Sequence, residues 1–317
     1  MNINLKPYSE SLIRVLGVIL LVIGLIGLFY GPLEIYCFYM FSAGGQFYYD
    51  GFQIGSLWFA YLTIQNAVYY IVAFFMIPIG IGTIKLKNWG RKLSLNLLYI
   101  WLIVGISLTI SFITTTPQLS QKLNLFVTLI IFVFICLMGI IIPFILIKIY
   151  NSQKIKHLFK NKSNNCIDKI SQVILLVCCL NILFILFLHT SPLFQYIFPL
   201  FGKIIIHREA VPYISICVVF LAILTYGYYK KYLLAFWGLI VYYGLLLVSI
   251  ILTFSKYSVS EIITLLNYPV HEQNVMIPLL YFVTNYTLTA FLASFIIITL
   301  CLIIYSRKSF YNKKILT

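Results

Sequence analysis

The sequence predicts an all-α polytopic membrane protein with eight transmembrane helices, and three observations carry that prediction. The 317 residues are 62% hydrophobic and 9% charged, with a mean hydropathy of +1.02. A soluble domain has about a quarter of its residues charged, so most of this surface must meet lipid. Crossing roughly 30 Å of hydrocarbon takes about 20 apolar residues at a rise of about 1.5 Å each, and eight runs approach or exceed that length. The basic residues, finally, crowd into alternate connections between those runs. Barrel strands would alternate polar with apolar residues, whereas these runs are unbroken, which leaves helices.

Span 1 is read at Leu12–Tyr30. It is too long for a cleavable signal peptide, and Gly31-Pro32-Leu33-Glu34 follows with no small-residue cleavage site. Gly17, Gly24, Gly27 and Gly31 fall within about 80° of one helical face. That stripe predicts close approach of another helix, from this chain, a membrane partner or a second copy. The segment Gly31–Leu57 carries Tyr36, Phe38, Tyr39, Phe41, Phe47, Tyr48, Tyr49 and Phe52 around Gly44-Gly45. It reads as an aromatic belt at headgroup level, the alternative being a lid over a cavity.

Span 2 is expected at Phe59–Ile84, with Pro78, Gly80 and Gly82 predicting a kink or local unwinding near its end. The turn Lys85-Leu86-Lys87-Asn88-Trp89-Gly90-Arg91-Lys92 resembles the inner turns of many multi-pass prokaryotic membrane proteins. The resemblance implies a prokaryotic plasma membrane and names no activity. Span 3 is expected at Leu93–Thr114, after which Thr116-Pro117 is expected to open a short interfacial helix. Span 4, Leu125–Ile149, contains Pro143, a second predicted kink.

Span 5 is expected at Ser171–Thr190. Pro192–Ala210 is apolar but broken by Pro192 and Pro199, and is expected to be interfacial or re-entrant. Spans 6 and 7 are read at Pro212–Tyr229 and Tyr232–Phe254. Ser258-Val259-Ser260-Glu261 has the pattern of a capping box, and Pro269 ends the apolar run behind it, which predicts a short interfacial helix. Span 8 is read at Phe282–Tyr305.

Charge orients this array. Of 22 basic residues, 18 lie at span ends or connections that share one side: Lys6, Arg14, Lys85, Lys87, Arg91, Lys92, Lys148, Lys154, Lys156, Lys160, Lys162, Lys169, Lys230, Lys231, Arg307, Lys308, Lys313 and Lys314. The other 4, Lys122, Lys203, Arg208 and Lys256, lie opposite. Basic residues near span ends stay cytoplasmic, so both termini are expected in the cytoplasm. The net charge of +15 hugs span ends rather than forming a nucleic-acid surface, so anionic lipid, not nucleic acid, is its expected partner.

The layout of residues 1–150 returns in 171–317. Each half runs span, outer loop, span, basic turn, span, outer loop and span with a basic end, and 151–170 forms a basic linker between them. Four spans is an even number, so true repeats would be parallel, related by an axis along the membrane normal. Positive-inside alternation alone produces part of this likeness.

Polar residues inside spans are the usual pointers to function. On these boundaries no carboxylate falls inside a span, which argues against ion coupling through a buried acid. What remains is Gln65, Asn66, Asn96, Asn181, His189 and Asn285. Four of them, Gln65, Asn66, His189 and Asn285, fall toward the outer side and are the candidate substrate-binding residues. The plain alternative is interhelical hydrogen bonding. His189, His207 and His271 are all expected near the outer face, where they could serve zinc or acid–base chemistry, but no ligand-spaced motif joins them and no metal or cofactor is expected. No nucleophile elbow, phosphate loop, dinucleotide or haem motif occurs. Of seven cysteines only Cys37 is expected outside the spans on the outer side, so no disulfide framework is implied.

Three functional classes follow. The first is a carrier or channel for an uncharged or lipid-like substrate, and the second a noncatalytic subunit of a membrane complex. The third is a membrane-embedded enzyme with an outer-face histidine site.

Overall fold

The structure is a computed structural model that describes residues 6–41, 56–122, 124–159, 166–189, 196–268, 270, 273–274 and 284–311. Among them, eight helical stretches are long and apolar enough to cross a membrane, so the chain is a multi-pass helical membrane protein. The chain divides into two compact units, Met1–Leu98 with Phe144–Ile170, and Tyr99–Pro143 with Ser171–Thr317.

In the first unit, α1 (Lys6–Phe41) and α2 (Leu57–Ile84) form a long antiparallel pair. The glycine stripe explains their closeness. A Cβ at Gly17 would lie 3.1 Å from the Gly80 oxygen, one at Gly27 2.9 Å from the Tyr69 oxygen, and one at Gly31 2.8 Å from the Tyr70 ring. The stripe therefore packs on α2 of the same chain. Helix α1 also runs eleven residues past the predicted end at Tyr30, straight through Pro32. Proline breaks soluble helices because it lacks an N–H and clashes with the preceding turn. Within apolar surroundings neighbouring groups and small local adjustments absorb that defect.

The same reason corrects the reading at Pro117. Helix α3 (Asn88–Lys122) continues through it, so the short interfacial helix expected there does not form. Span 4 is built as α4 (Leu125–Cys136), a π segment (Leu137–Ile141) and α5 (Ile142–Asn151). The wide turn directly precedes Pro143, the local unwinding that proline predicts. It also brings Gly139 against Gly105 of α3, so closely that a Cβ at Gly105 would overlap the Gly139 carbonyl. Beyond it, α6 (Gln153–Leu158) starts on Ser152, which caps the Ile155 amide, and α7 (Cys166–Lys169) follows.

The second unit holds a four-helix bundle. Helix α8 (Gln172–His189) packs on α9 (Val211–Tyr229), α9 on α10 (Leu233–Phe254), α10 on α12 (Asn285–Tyr305), and α12 back on α8. Its core includes Leu176 and Leu180, with Phe295, Ile298 and Leu302 packed against them. At the end where α9 turns into α10, the short α13 (Lys308–Tyr311) puts the Phe310 ring 4.9 Å from Tyr228 and 5.2 Å from Phe236. Between α10 and α12, α11 (Val259–Leu265) begins on the predicted capping box, with both reciprocal bonds of Ser258 and Glu261 formed.

Pro192–Ala210, expected to be interfacial or re-entrant, contains an antiparallel hairpin, β1 (Phe198–Leu200) and β2 (Lys203–Ile205). Its two-residue turn has Phe201 at φ 42° and Gly202 at φ 88°, the left-handed pair of a type I′ turn. A phenylalanine is unfavourable there, and α10 fixes the turn in place. Phe201 N donates to Ser249 Oγ at 3.0 Å, and Gly202 N to Thr253 Oγ1 at 3.0 Å. Ser249 Oγ in turn donates to the Pro199 carbonyl at 2.8 Å. Irregular backbone next to a membrane span survives only when such groups are satisfied.

Candidate functional site

The second unit carries a groove of about 360 Å³ between the ends of α8 and α9, beside the hairpin. Its lining is Leu188, His189, Tyr196, Val211, Ile214, Ser215, Val218 and Val219. The α9 residues fall at 211, 214, 215, 218 and 219, the spacing of one helical face. Below them, Phe198, Ala210 and Ile214 form a buried cluster that ties the hairpin to α9, and the Phe198 ring stacks on Tyr213 at 5.6 Å. The walls are mostly aliphatic, with His189, Tyr196 and Ser215 as the polar members.

His189 is exposed, with Nδ1 2.9 Å from the Ile185 carbonyl. A carbonyl can only accept, so Nδ1 carries a proton and donates. His207, also exposed, begins a single 3-10 turn (His207–Glu209) with φ 55°. His271 lies outside the described residues, as does the side chain of Asn285. Among the described residues, no three His, Cys, Asp or Glu side chains gather as a metal site.

Gln65 and Asn66 lie in the first unit, on α2. The continuation of α1 past Pro32 brings a residue that sequence reading left in a loop, Glu34, onto the same span as the glycine stripe. Gln65 Nε2 donates to Glu34 Oε1 at 2.9 Å and to Tyr69 Oη at 2.8 Å, and Tyr69 Oη lies 3.4 Å from the same carboxylate oxygen. The Tyr30 ring sits 6.1 Å from that of Tyr69. Asn66 Nδ2 donates back to the Leu62 carbonyl at 3.0 Å, while its Oδ1 is buried and unpaired. Glu34 therefore lies on the helix that carries span 1 and not in a loop. The missing signal was helix continuity through Pro32.

Asn181 behaves differently. It is completely buried, donates from Nδ2 to Thr225 Oγ1 at 2.9 Å and accepts from Tyr243 Oη at 2.7 Å. The Thr225 hydroxyl donates its own hydrogen bond to the Leu221 carbonyl. Every polar atom of that network is used, which marks a structural tie between α8, α9 and α10. Asn96 is buried as well.

At the opposite end of the first unit, Asn88 Nδ2 donates to Asp168 Oδ1 at 2.7 Å. Lys92 Nζ reaches the carbonyls of Ile167, Asp168 and Ile170 at 3.1, 2.7 and 2.7 Å. Lysine thus ties off the last carbonyls of α7, the arrangement favoured at a helix C-terminus. Sequence reading missed this tie because its partners are some eighty residues apart.

Comparison with protein-family models, curated proteins and solved structures finds no match for this chain. Fold and geometry therefore define its class, a polytopic helical membrane protein with an apolar groove in one unit and a carboxylate–amide cluster in the other.

Proposed function

We propose that the protein is a membrane carrier or channel for an uncharged, lipid-like substrate, and that the groove between α8 and α9 receives the apolar part of that substrate. The single observation behind this reading is the groove itself. Its volume of about 360 Å³ is within the roughly 300–1,000 Å³ typical of small-molecule sites. Its walls are aliphatic, and Val219 and neighbouring Ile216 are exposed on a spanning helix, so a substrate would enter from the bilayer. His189 Nε2 and the Ser215 hydroxyl supply the few polar groups that orient such a ligand. The 18-to-4 charge split supports an outward-facing mouth and cytoplasmic termini. Anionic lipid against α6, with Lys154 and Lys156, belongs to the same reading.

A diacylglycerol carrying a diazirine on its acyl chain tests the proposal in native membranes. Adducts should concentrate on peptides containing Leu188–His189 and Val211–Val219. Val218→Trp, which fills the groove, should abolish them while leaving the unfolding midpoint within the wild-type range. Label spread evenly over all lipid-facing helices would refute the site. Purification with bound molecules retained addresses the subunit reading: a stoichiometric protein partner in place of ordered lipid would favour it.

A further inference from the structure

The Glu34 cluster in the first unit carries an inference independent of the groove. A carboxylate on a membrane-spanning helix is costly unless its charge is met or removed. Among the described residues the ion pair formed is Arg14–Glu10, at 2.8 Å on the exposed face of α1. Among the described residues, Glu34 has hydrogen-bond donors in Gln65 and Tyr69, both on one oxygen, and no cationic side chain.

Asn66 adds a second acceptor. It precedes Ala73 by seven residues and so lies within about 20° of the face of α2 that Ala73 turns toward Gly27. Its buried Oδ1 has no donor. Exchanging the amide nitrogen and oxygen would set two carbonyl oxygens 3.0 Å apart at Leu62, so the oxygen is the atom left unpaired. A buried unpaired acceptor in a native fold calls for an ion or water. Here it lies one residue from Gln65, which binds the carboxylate, and the Tyr69 ring, whose hydroxyl reaches that carboxylate, packs 6.1 Å from the ring of Tyr30. Aromatic faces attract cations, and one carboxylate balances one positive charge.

We propose that Glu34, Asn66 and the Tyr69 ring form a binding site for a monovalent cation between α1 and α2, either an alkali-metal ion or the ammonium group of an organic amine. The Gln65 amide positions the carboxylate, and the ligand takes its free oxygen together with Asn66 Oδ1.

The test uses the full chain in lipid nanodiscs at a pH well above the carboxylate range. Thermal unfolding is followed against sodium, potassium and tetramethylammonium chlorides, with ionic strength held constant by a salt of a bulky sugar amine. At least one of the three should raise the midpoint saturably. Radiolabelled sodium or tetramethylammonium should then bind once per chain. Glu34→Gln keeps an acceptor for Gln65 but removes the charge, and should weaken binding at least about tenfold, the loss of one charge-assisted contact. Asn66→Leu should weaken it too while leaving the unliganded midpoint near wild type. Dependence on sodium or potassium identifies an alkali ion, and dependence on tetramethylammonium an amine. No response to any of the three, or an equal response in Glu34→Gln, overturns the site, as does a midpoint that follows pH alone, since Glu34 would then simply carry a proton.

Discussion

Replacing Asn181 with leucine should destabilise the second unit in a way that only its hydrogen-bond network explains. The side chain is fully buried, joining Thr225 on α9 to Tyr243 on α10. Leucine has a similar volume, so packing changes little. Interhelical hydrogen bonds inside membranes average about 0.6 kcal/mol each, which puts the two lost bonds near 1.2 kcal/mol. Tyr243, only 2% exposed, is also left with a hydroxyl that has no partner, at a cost of about 1–3 kcal/mol. Thr225 is spared this penalty because it still donates to Leu221. Asn181→Leu should therefore cost about 2–4 kcal/mol on these terms.

Tyr243→Phe keeps the ring, which lies 6.2 Å from that of Phe184, and removes the orphaned hydroxyl. In the double variant the penalty for that hydroxyl disappears, so the pair should cost about 1 kcal/mol or more less than the sum of the singles. The assay is reversible unfolding in mixed micelles against increasing denaturing detergent. Additivity within about 0.5 kcal/mol would refute the reasoning, because the two residues would then not share a buried bond.

Four further outcomes are expected. Gly105→Ala should cost about 1–3 kcal/mol, since its Cβ meets the Gly139 backbone, whereas Gly244→Ala, with nothing within 4 Å, should be neutral or gain up to about 1 kcal/mol; the same unfolding assay measures both. Leu86 and Lys231 sit at φ 51° and 61° in the turns after α2 and α9, so changing either to glycine should raise stability by up to about 1 kcal/mol. Ser258 holds the Glu261 carboxyl below the ordinary value, chiefly through its backbone amide. A lowered folded value means that the capping box is intact above the unfolded glutamate value of about 4.3 and is lost as pH falls through the lowered one, which hydrogen exchange at α11 will report. A green fluorescent protein fused to the C-terminus should fluoresce in a bacterial host and an alkaline phosphatase there should stay inactive, the signature of a cytoplasmic end.

The spans were legible because hydrophobicity is a bulk property of twenty residues. The predicted Phe59–Ile84 lies within α2, and Leu233–Phe254 differs from its prediction by one residue. The Ser258 cap was equally legible, being local. Proline misled the reading at Pro32 and Pro117 because its cost depends on what surrounds the broken hydrogen bond, which sequence does not display. At Pro32 the consequence was large, since the misplaced helix end hid Glu34. The hairpin was hidden for a related reason: a left-handed Phe201 makes sense only beside Ser249 and Thr253, about fifty residues later. The roles of Gln65 and Asn181 separate only when their partners are known, one beside a carboxylate and the other closed within a saturated network.

The two basic turns say more about the proposed four-plus-four plan than their charges do. After α2, Lys87 N donates to the Gly82 carbonyl at 2.9 Å and Leu86 N to that of Thr83 at 3.1 Å. After α9, Tyr232 N donates to Gly227 at 2.8 Å and Lys231 N to Tyr228 at 3.0 Å. Both are Schellman turns with a left-handed residue that is not glycine. Both place a glycine at the carbonyl that accepts the bond spanning more residues, from the amide five positions on. That glycine meets a small residue eight positions on, Gly90 in one case and Ala235 in the other, with approaches of 2.9 and 2.8 Å from a Cβ built on it. Positive-inside alternation asks for lysine at such turns and for nothing else. It does not ask for the same hydrogen bonds, the same strained position or a small pair at the same spacing. The shared geometry is a likeness between the two turns that charge alone does not account for.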